Sequence, residues 1–292
     1  MRIAVYGRAL NRSLAPFINQ LFLNLMERGA ELIVHETLIK SVYPKNKSNT
    51  KITTFTKHAD IKNHVDFLFS LGGDGTLLDT ISLVRDSGIP VVGINTGRLG
   101  FLASIAKEET KGAIDNLFKG NYSLDKRTLI SLESNPSLFG EVNYGLNEFT
   151  LIKKDSSSMV TIHAHLNGDY LNSYWADGLI ISTPTGSTGY SLSCGGPIIV
   201  PQSENFVITP IAPHNLNVRP IVVPDKSIIT LEMESRGQQF RASLDSRSLS
   251  MDASLKLVLK KEKFEINLLR LNNENFLNTL RNKLMWGLDK RN

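Results

Sequence analysis

An apolar run of strand length, Val65-Asp66-Phe67-Leu68-Phe69-Ser70-Leu71, stops at Gly72-Gly73-Asp74-Gly75-Thr76. This junction constrains the fold more than any other stretch. A strand ending in glycines puts an acid at its carboxyl end, which is where open α/β sheets bind ligands. Three glycines let the backbone turn tightly and bring unshielded N–H groups close to a phosphate. Thr76 then opens a predicted helix, Leu77 to Arg85, whose N-terminus favours anionic charge. Asp74 is the one side chain of the loop that can take up a proton. The loop therefore reads as a phosphate cradle for phosphoryl transfer, with Asp74 as base or metal partner. Ordinary turn chemistry is the competing reading, because Asp and Gly suit turns generally. No Gly-Lys-Ser/Thr follows, so this is not a P-loop. Nor does Gly7-Arg8-Ala9-Leu10, after the first predicted strand, have the spacing of a dinucleotide fingerprint.

Around this junction strand and helix patterns alternate, which predicts a parallel sheet over residues 1–125. Strands are predicted at 3–6, 31–35, 65–71 and 91–94, and helices at 14–28, 77–85 and 108–118. A second glycine-rich loop, Gly93 to Leu102, follows the 91–94 strand, and two such loops can wall one crevice. The polar stretch from Ser41 to Lys57 reads as a surface loop. From Arg127 the pattern becomes short β segments broken by Pro, Gly, Asn and Asp, predicting a β-rich domain over 126–270. A helical pattern returns near Asn273, with Phe276, Leu277, Leu280 and Leu284 on one face. Residues 271–292 are thus expected to form a helix that docks back on the fold.

With 292 residues, 41% hydrophobic and 21% charged, the composition is that of a globular protein of one large or two medium domains. No apolar stretch approaches the roughly 20 residues that span a bilayer. The chain runs straight into a strand, which reads as lacking a secretory signal. Cys194 is the only cysteine, so no internal disulfide can form, and the expected location is the reducing cytoplasm. The net charge of +5 is spread along the chain. It suits a solvated surface and a polyanionic small substrate better than nucleic acid.

The most unusual segment runs from Ala176 to Pro197. Its hydroxyls, at Thr183, Thr185, Ser187, Thr188, Tyr190, Ser191 and Ser193, are denser than a fold alone calls for. Hydroxyls and glycine N–H groups suit phosphate and sugar recognition. The alternative is a Ser/Thr-rich loop between strands. Asn147-Glu148 is a weaker signal by itself.

Together these segments resemble the NAD kinase family. The matches are Gly72-Gly73-Asp74-Gly75-Thr76, Asn95-x-Gly97-x-Leu99-Gly100-Phe101, Asn147-Glu148, Asp177-Gly178 leading into Thr183 to Tyr190, and Pro213-His214-x-Leu216-x-x-Arg219-Pro220. The first motif is shared with diacylglycerol and sphingosine kinases, so Asp177 to Pro197 carries most of the specificity. The resemblance implies an α/β N-terminal domain, a β-rich C-terminal domain and a substrate site between them. It implies ATP-dependent phosphorylation of the adenosine ribose 2′-hydroxyl of NAD, giving NADP, with Mg²⁺ on the ATP and no identified metal ligands. Asp74 would accept the proton of that hydroxyl, with Gly72, Gly73, Gly75 and Thr76 around the nucleotide and Phe101 packing nearby. Asn147 and Glu148 would hold adenosine and ribose, and Asp177 and Ala212 would lie on the nicotinamide side. Thr185, Thr188, Gly189, Tyr190, Ser191, Leu192 and Ser193 would line adenine and ribose, and Arg247 would take a weaker role.

Position 189 is Gly where the family usually has alanine, and position 175 is Trp where close bacterial relatives often carry arginine. The second departure puts a basic contact there in doubt. Two rivals stand beside this reading. A lipid kinase of the diacylglycerol type should show an apolar cleft or a membrane-binding helix, and a non-catalytic NAD(P) sensor would not need Asp74. The resemblance also implies homo-oligomers, dimers or tetramers, built through the β-rich domain, whose strand edges suit pairing.

Overall fold

The computed structural model describes residues 1–8, 11–42, 52–97, 100–154, 160–234, 239–271 and 275–286. Ala9, Leu10, the Pro44–Thr50 part of the predicted loop, Arg98, Leu99 and Asn273 lie outside the described residues.

The chain divides into two compact units, residues 1–126 with 266–292, and residues 127–265. The first contains β1 (Arg2–Gly7), α1 (Ala15–Met26), β2 (Glu31–His35), α2 (Glu36–Val42), β3 (Thr53–Phe55), α3 (His58–Ile61) and β4 (Phe67–Leu71). It continues through α4 (Asp74–Val84), β5 (Val91–Asn95), β6 (Ile105–Ala106), α5 (Thr110–Phe118) and β7 (Tyr122–Arg127), whose last residue opens the second unit. The second unit contains β8 (Ile130–Glu133), β9 (Tyr144–Gly145), β10 (Glu148–Lys153), β11 (Val160–Leu166), β12 (Asp169–Ala176), β13 (Gly178–Ser182) and the one-turn helix α6 (Tyr190–Ser193). It ends with β14 (Asn205–Ile211), β15 (Ile221–Pro224), β16 (Ile229–Glu234), β17 (Gln239–Leu244), β18 (Arg247–Asp252) and β19 (Leu257–Lys261). The chain then returns to the first unit with β20 (Ile266–Leu271) and α7 (Phe276–Leu284).

The first sheet has the order β3-β2-β1-β4-β5-β20-β7, with β6 beside β5. The pairings from β3 through to β20 are parallel. All five residues of β4 and of β5 are buried, as strands covered on both faces must be. Helix α1 turns Ile18, Leu21, Phe22 and Leu25 inward at helical spacing, against the apolar side of the sheet. The strand order reverses between β1 and β4, where Gly7 stands beside Leu71. Ligands of open α/β sheets bind outside the carboxyl ends of strands at such a reversal.

Helices α2 and α3 and strands β3, β6, β7 and β20 of the first unit are not among the elements the sequence pattern predicts, and β3 lies within the stretch read as a surface loop. The β-rich stretch was expected to run to residue 270, whereas β20 pairs in parallel with β5 of the first sheet. Ile266, Leu268 and Leu269 are buried there, and Arg270 pairs with Asp125 of β7. The local sequence carries no information about which sheet receives those residues. Helix α7 buries Leu280 and has its N-cap on Asn275, whose side chain accepts the Leu277 N–H.

The second unit is a sandwich of two six-stranded sheets, β15-β14-β13-β10-β17-β18 and β12-β11-β16-β19-β8-β9. Their inward residues form one apolar cluster, with Phe149, Leu151, Leu179, Phe206 and Phe240 from the first and Ile130, Ile162, Leu231 and Leu259 from the second. Among the described residues no helix is long and apolar enough to cross a membrane.

Candidate active site

Asp74 is the first residue of α4, directly after the turn Gly72-Gly73 at the end of β4, and Gly73 is its N-cap. Its carboxylate is held by three backbone N–H groups of the second glycine-rich loop. Phe101 donates to Oδ2 at 2.8 Å, and Leu102 and Ala103 donate to Oδ1 at 3.0 and 2.9 Å. A carboxylate offers about four acceptor positions, so Oδ2 keeps one to offer a ligand. The N–H groups of Gly73, Asp74 and Gly75 find no acceptor among the described residues, as the first turn of a helix requires. Thr76 is buried in the same turn, and the half-buried Phe101 ring lies 5.4 Å from Nζ of Lys283 on α7. The two loops after β4 and β5 are thus one constellation, as the sequence suggests.

Arg8, which follows β1, joins them unannounced. Its Nε and Nη2 donate to the two oxygens of Asp79 at 2.6 and 2.8 Å, and Nη2 also reaches the carbonyl of Gly75 at 3.2 Å. Tyr6 donates to Asp79 as well, and burial together with that carboxylate pushes its phenol up to about 12. Only the adjacency of β1 and β4 brings Arg8 to the glycine turn, and the local sequence does not encode it.

In the second unit Asn147 and Glu148 lead into β10. Their Oδ1 and Oε2 atoms are buried without a hydrogen-bond partner, although buried polar atoms are nearly always paired. Burial, reinforced by the charge of Asp245, pushes Glu148 up to about 8. Asp245, in the turn between β17 and β18 with φ of 51°, accepts the N–H groups of Leu146, Asn147 and Glu148 at 2.8, 2.8 and 3.2 Å. Burial raises its pKa too, against the pull of those donors and of Arg247. Arg247 donates to the carbonyls of Val142 and Tyr144 and lies over the Phe139 ring, so it braces this turn. Asp245 is the residue the sequence reading passed over between Leu244 and Arg247. A Cβ on Gly189 would stand 3.3 Å from Oε2 of Glu148, which puts the 186–193 turn directly against that orphaned oxygen.

The hydroxyl-rich segment divides into two sets. Thr183 donates to the Leu146 carbonyl at 2.6 Å, Thr185 accepts from the buried Arg127 at 2.9 Å, and Ser187 donates to Pro184 at 2.7 Å. Ser191 pairs with Thr209 at 2.8 Å. All four hydroxyls are buried within the fold, which accounts for much of the density that stood out in the sequence. Tyr190 and Ser193 are exposed, and Thr188, Gly189 and Leu192 are half-buried, so these five face outward.

Asp177 and Ala212 lie elsewhere on the same unit. Asp177 donates its N–H to Ile211 at the start of β13, whereas Thr183 follows the end of that strand. At about 3.3 Å per residue the two ends are roughly 20 Å apart. Within this unit Asp177 is therefore not brought to Asn147 and Glu148. Ala212 has φ of 44°, rare for a residue with a side chain. Trp175 is exposed, and the cation beside Asp177 is Lys153, at 2.6 Å.

Residues 3–122 match the ATP-NAD kinase N-terminal domain and residues 146–268 the ATP-NAD kinase C-terminal domain. The chain is 50% identical to the NAD kinase of Cytophaga hutchinsonii, covering 100% of both chains. It is 46% identical to that of Flavobacterium johnsoniae, again over 100% of both. Two solved structures share its fold. Yeast NADH kinase complexed with NADH superposes with a TM-score of 0.87 at 24% identity, over 99% of this chain and 88% of that one. An NAD kinase from Archaeoglobus fulgidus in complex with ATP gives 0.77 at 23% identity, over 98% and 99%.

Proposed function

The chain belongs to the ATP-NAD kinase family of phosphotransferases, and from that premise we propose how its residues perform the reaction. The acceptor is the 2′-hydroxyl of the adenosine ribose of NAD, and the products are NADP and ADP. The ribose oxygen forms a bond to the γ-phosphorus, the bond to the bridging oxygen of ADP breaks, and the hydroxyl proton passes to Oδ2 of Asp74. Phosphoryl transfer has a loose transition state, so positioning and charge stabilisation supply most of the acceleration.

The observation that carries this reading is the seat of Asp74, whose carboxylate is fixed by three N–H groups with one acceptor position left. A fixed carboxylate within hydrogen-bond reach of a hydroxyl is what general-base catalysis needs. The free N–H groups of Gly73, Asp74 and Gly75 suit phosphate oxygens. Among the described residues no group of three His, Cys, Asp or Glu could hold a metal ion. Mg²⁺ bound to the ATP phosphates would supply charge neutralisation there. Asn147 Oδ1 and Glu148 Oε2 are suited to the adenosine of NAD, with Gly189 leaving room above them and Thr188, Tyr190, Leu192 and Ser193 as the outward wall. Thr185, Ser191 and Arg247 support that wall from behind, and Asp177 with Ala212 forms a separate contact point for the nicotinamide end.

The single cysteine fits a cytoplasmic location. Leu216, Ile221 and Val222 expose apolar surface on the second unit, which fits self-association into dimers or tetramers. Incubation of the full chain with MgATP and NAD tests the central reading. NADP must form in proportion to ADP, and ADP formation without NADP, or neither product, defeats it.

A further inference from the structure

We propose that Arg8 grips the triphosphate of the phosphoryl donor, a role that rests on the kinase reading above. Three observations converge on it. Arg8 follows β1 at the point where the strand order reverses, and the glycine turn follows β4 immediately alongside. Its guanidinium is held by Asp79 through Nε and Nη2, and Nη2 also reaches the Gly75 carbonyl. Nη1 has no acceptor among the described residues, and the side chain is 52% exposed. Nη1 and Nη2 also lie 3.9 and 4.0 Å from where a Cβ of Gly75 would stand. Nη1 therefore stands beside Gly75 in the first turn of α4, the helix whose leading N–H groups suit phosphate oxygens. Asp79 and Tyr6 act as positioning residues: they hold the fork rigid before any ligand arrives, so little ordering entropy is lost on binding.

A merely structural clamp between β1 and α4 would use the same Asp79 contact, and the test separates the two. Binding of inorganic triphosphate and of NAD to the full chain is measured by calorimetry for wild type, Arg8→Met and Arg8→Lys, alongside steady-state kinetics. Arg8→Met is expected to weaken triphosphate binding and to lower kcat/KM for ATP by about 10- to 100-fold. NAD affinity should stay within about twofold, and Arg8→Lys should recover part of the loss, because it keeps the charge without the fork. Triphosphate binding unchanged in Arg8→Met, or triphosphate and NAD binding lost together, overturns the proposal. Failure of the wild type to make NADP would instead remove the kinase reading, and the triphosphate titration, which needs no turnover, would still decide the role of Arg8.

Discussion

Gly100 leaves the space that the carboxylate of Asp74 fills: a Cβ at residue 100 would stand 1.8 Å from Oδ1. The two residues lie on different loops, and each fixes the other. Gly100→Ala should therefore expel the carboxylate from its three N–H donors. Overpacking of this kind costs about 1–3 kcal/mol. We expect a lower Tm and a fall in kcat of at least about 100-fold, the low end for loss of a positioned base. Melting and steady-state assays on the purified variant check both, and a normal kcat would detach the second loop from catalysis.

Asp74→Asn tests the base itself. The amide oxygen can still accept from Leu102 and Ala103, but its NH₂ then meets the N–H of Phe101, donor against donor. Stability should drop by about 1–3 kcal/mol. The loss in kcat should be larger, about 10²–10⁴-fold, with NAD affinity by calorimetry little changed. With Asp74 acting as the base, excess Mg²⁺ should not restore the rate. Rescue by Mg²⁺ would turn Asp74 from a base into a metal partner.

Glu148 gives a pH prediction with a definite sign. Its carboxyl titrates at about 8 in the fold, raised by burial and then by Asp245, against about 4.3 unfolded. Between those values the native state keeps a proton that the unfolded chain has released. Stability therefore falls as pH rises through that window and levels off above the folded value. Glu148→Gln should flatten the profile between about pH 5 and 8. Urea denaturation at several pH values decides it, and parallel curves for wild type and variant would refute the assignment.

What could be read in the sequence was local. The junction from Leu71 to Thr76 needs only a strand, glycines and a helix start, all encoded within a dozen residues. The change from alternating to β-rich pattern near residue 127 is a matter of composition and period. What could not be read depends on partners far along the chain. Arg8 meets Asp79 only because β1 lies beside β4, and Asp245 reaches the backbone of Asn147 only across the sheet. Nothing in Ile266 to Leu271 says that the strand returns to the first sheet. The hydroxyl-rich segment is the clearest case: whether Thr185 faces ligand or core is decided by Arg127, 58 residues away.

That case can be tested directly. Thr185 and Tyr190 stand five residues apart in the hydroxyl-rich stretch. In the fold Thr185 is 7% exposed and accepts from the buried Arg127, whereas Tyr190 is 40% exposed. Thr185→Val keeps the volume but removes an acceptor from a buried guanidinium. It should lower stability by about 1–3 kcal/mol while leaving KM for NAD within about twofold. Tyr190→Ala removes outward surface from the turn facing Glu148. It should raise KM for NAD about tenfold, with KM for ATP and the Tm little affected. Steady-state kinetics with each substrate varied, together with melting curves, separate the two roles. If Thr185→Val raises KM for NAD at unchanged Tm, the inward and outward sets of hydroxyls are not the division that governs binding.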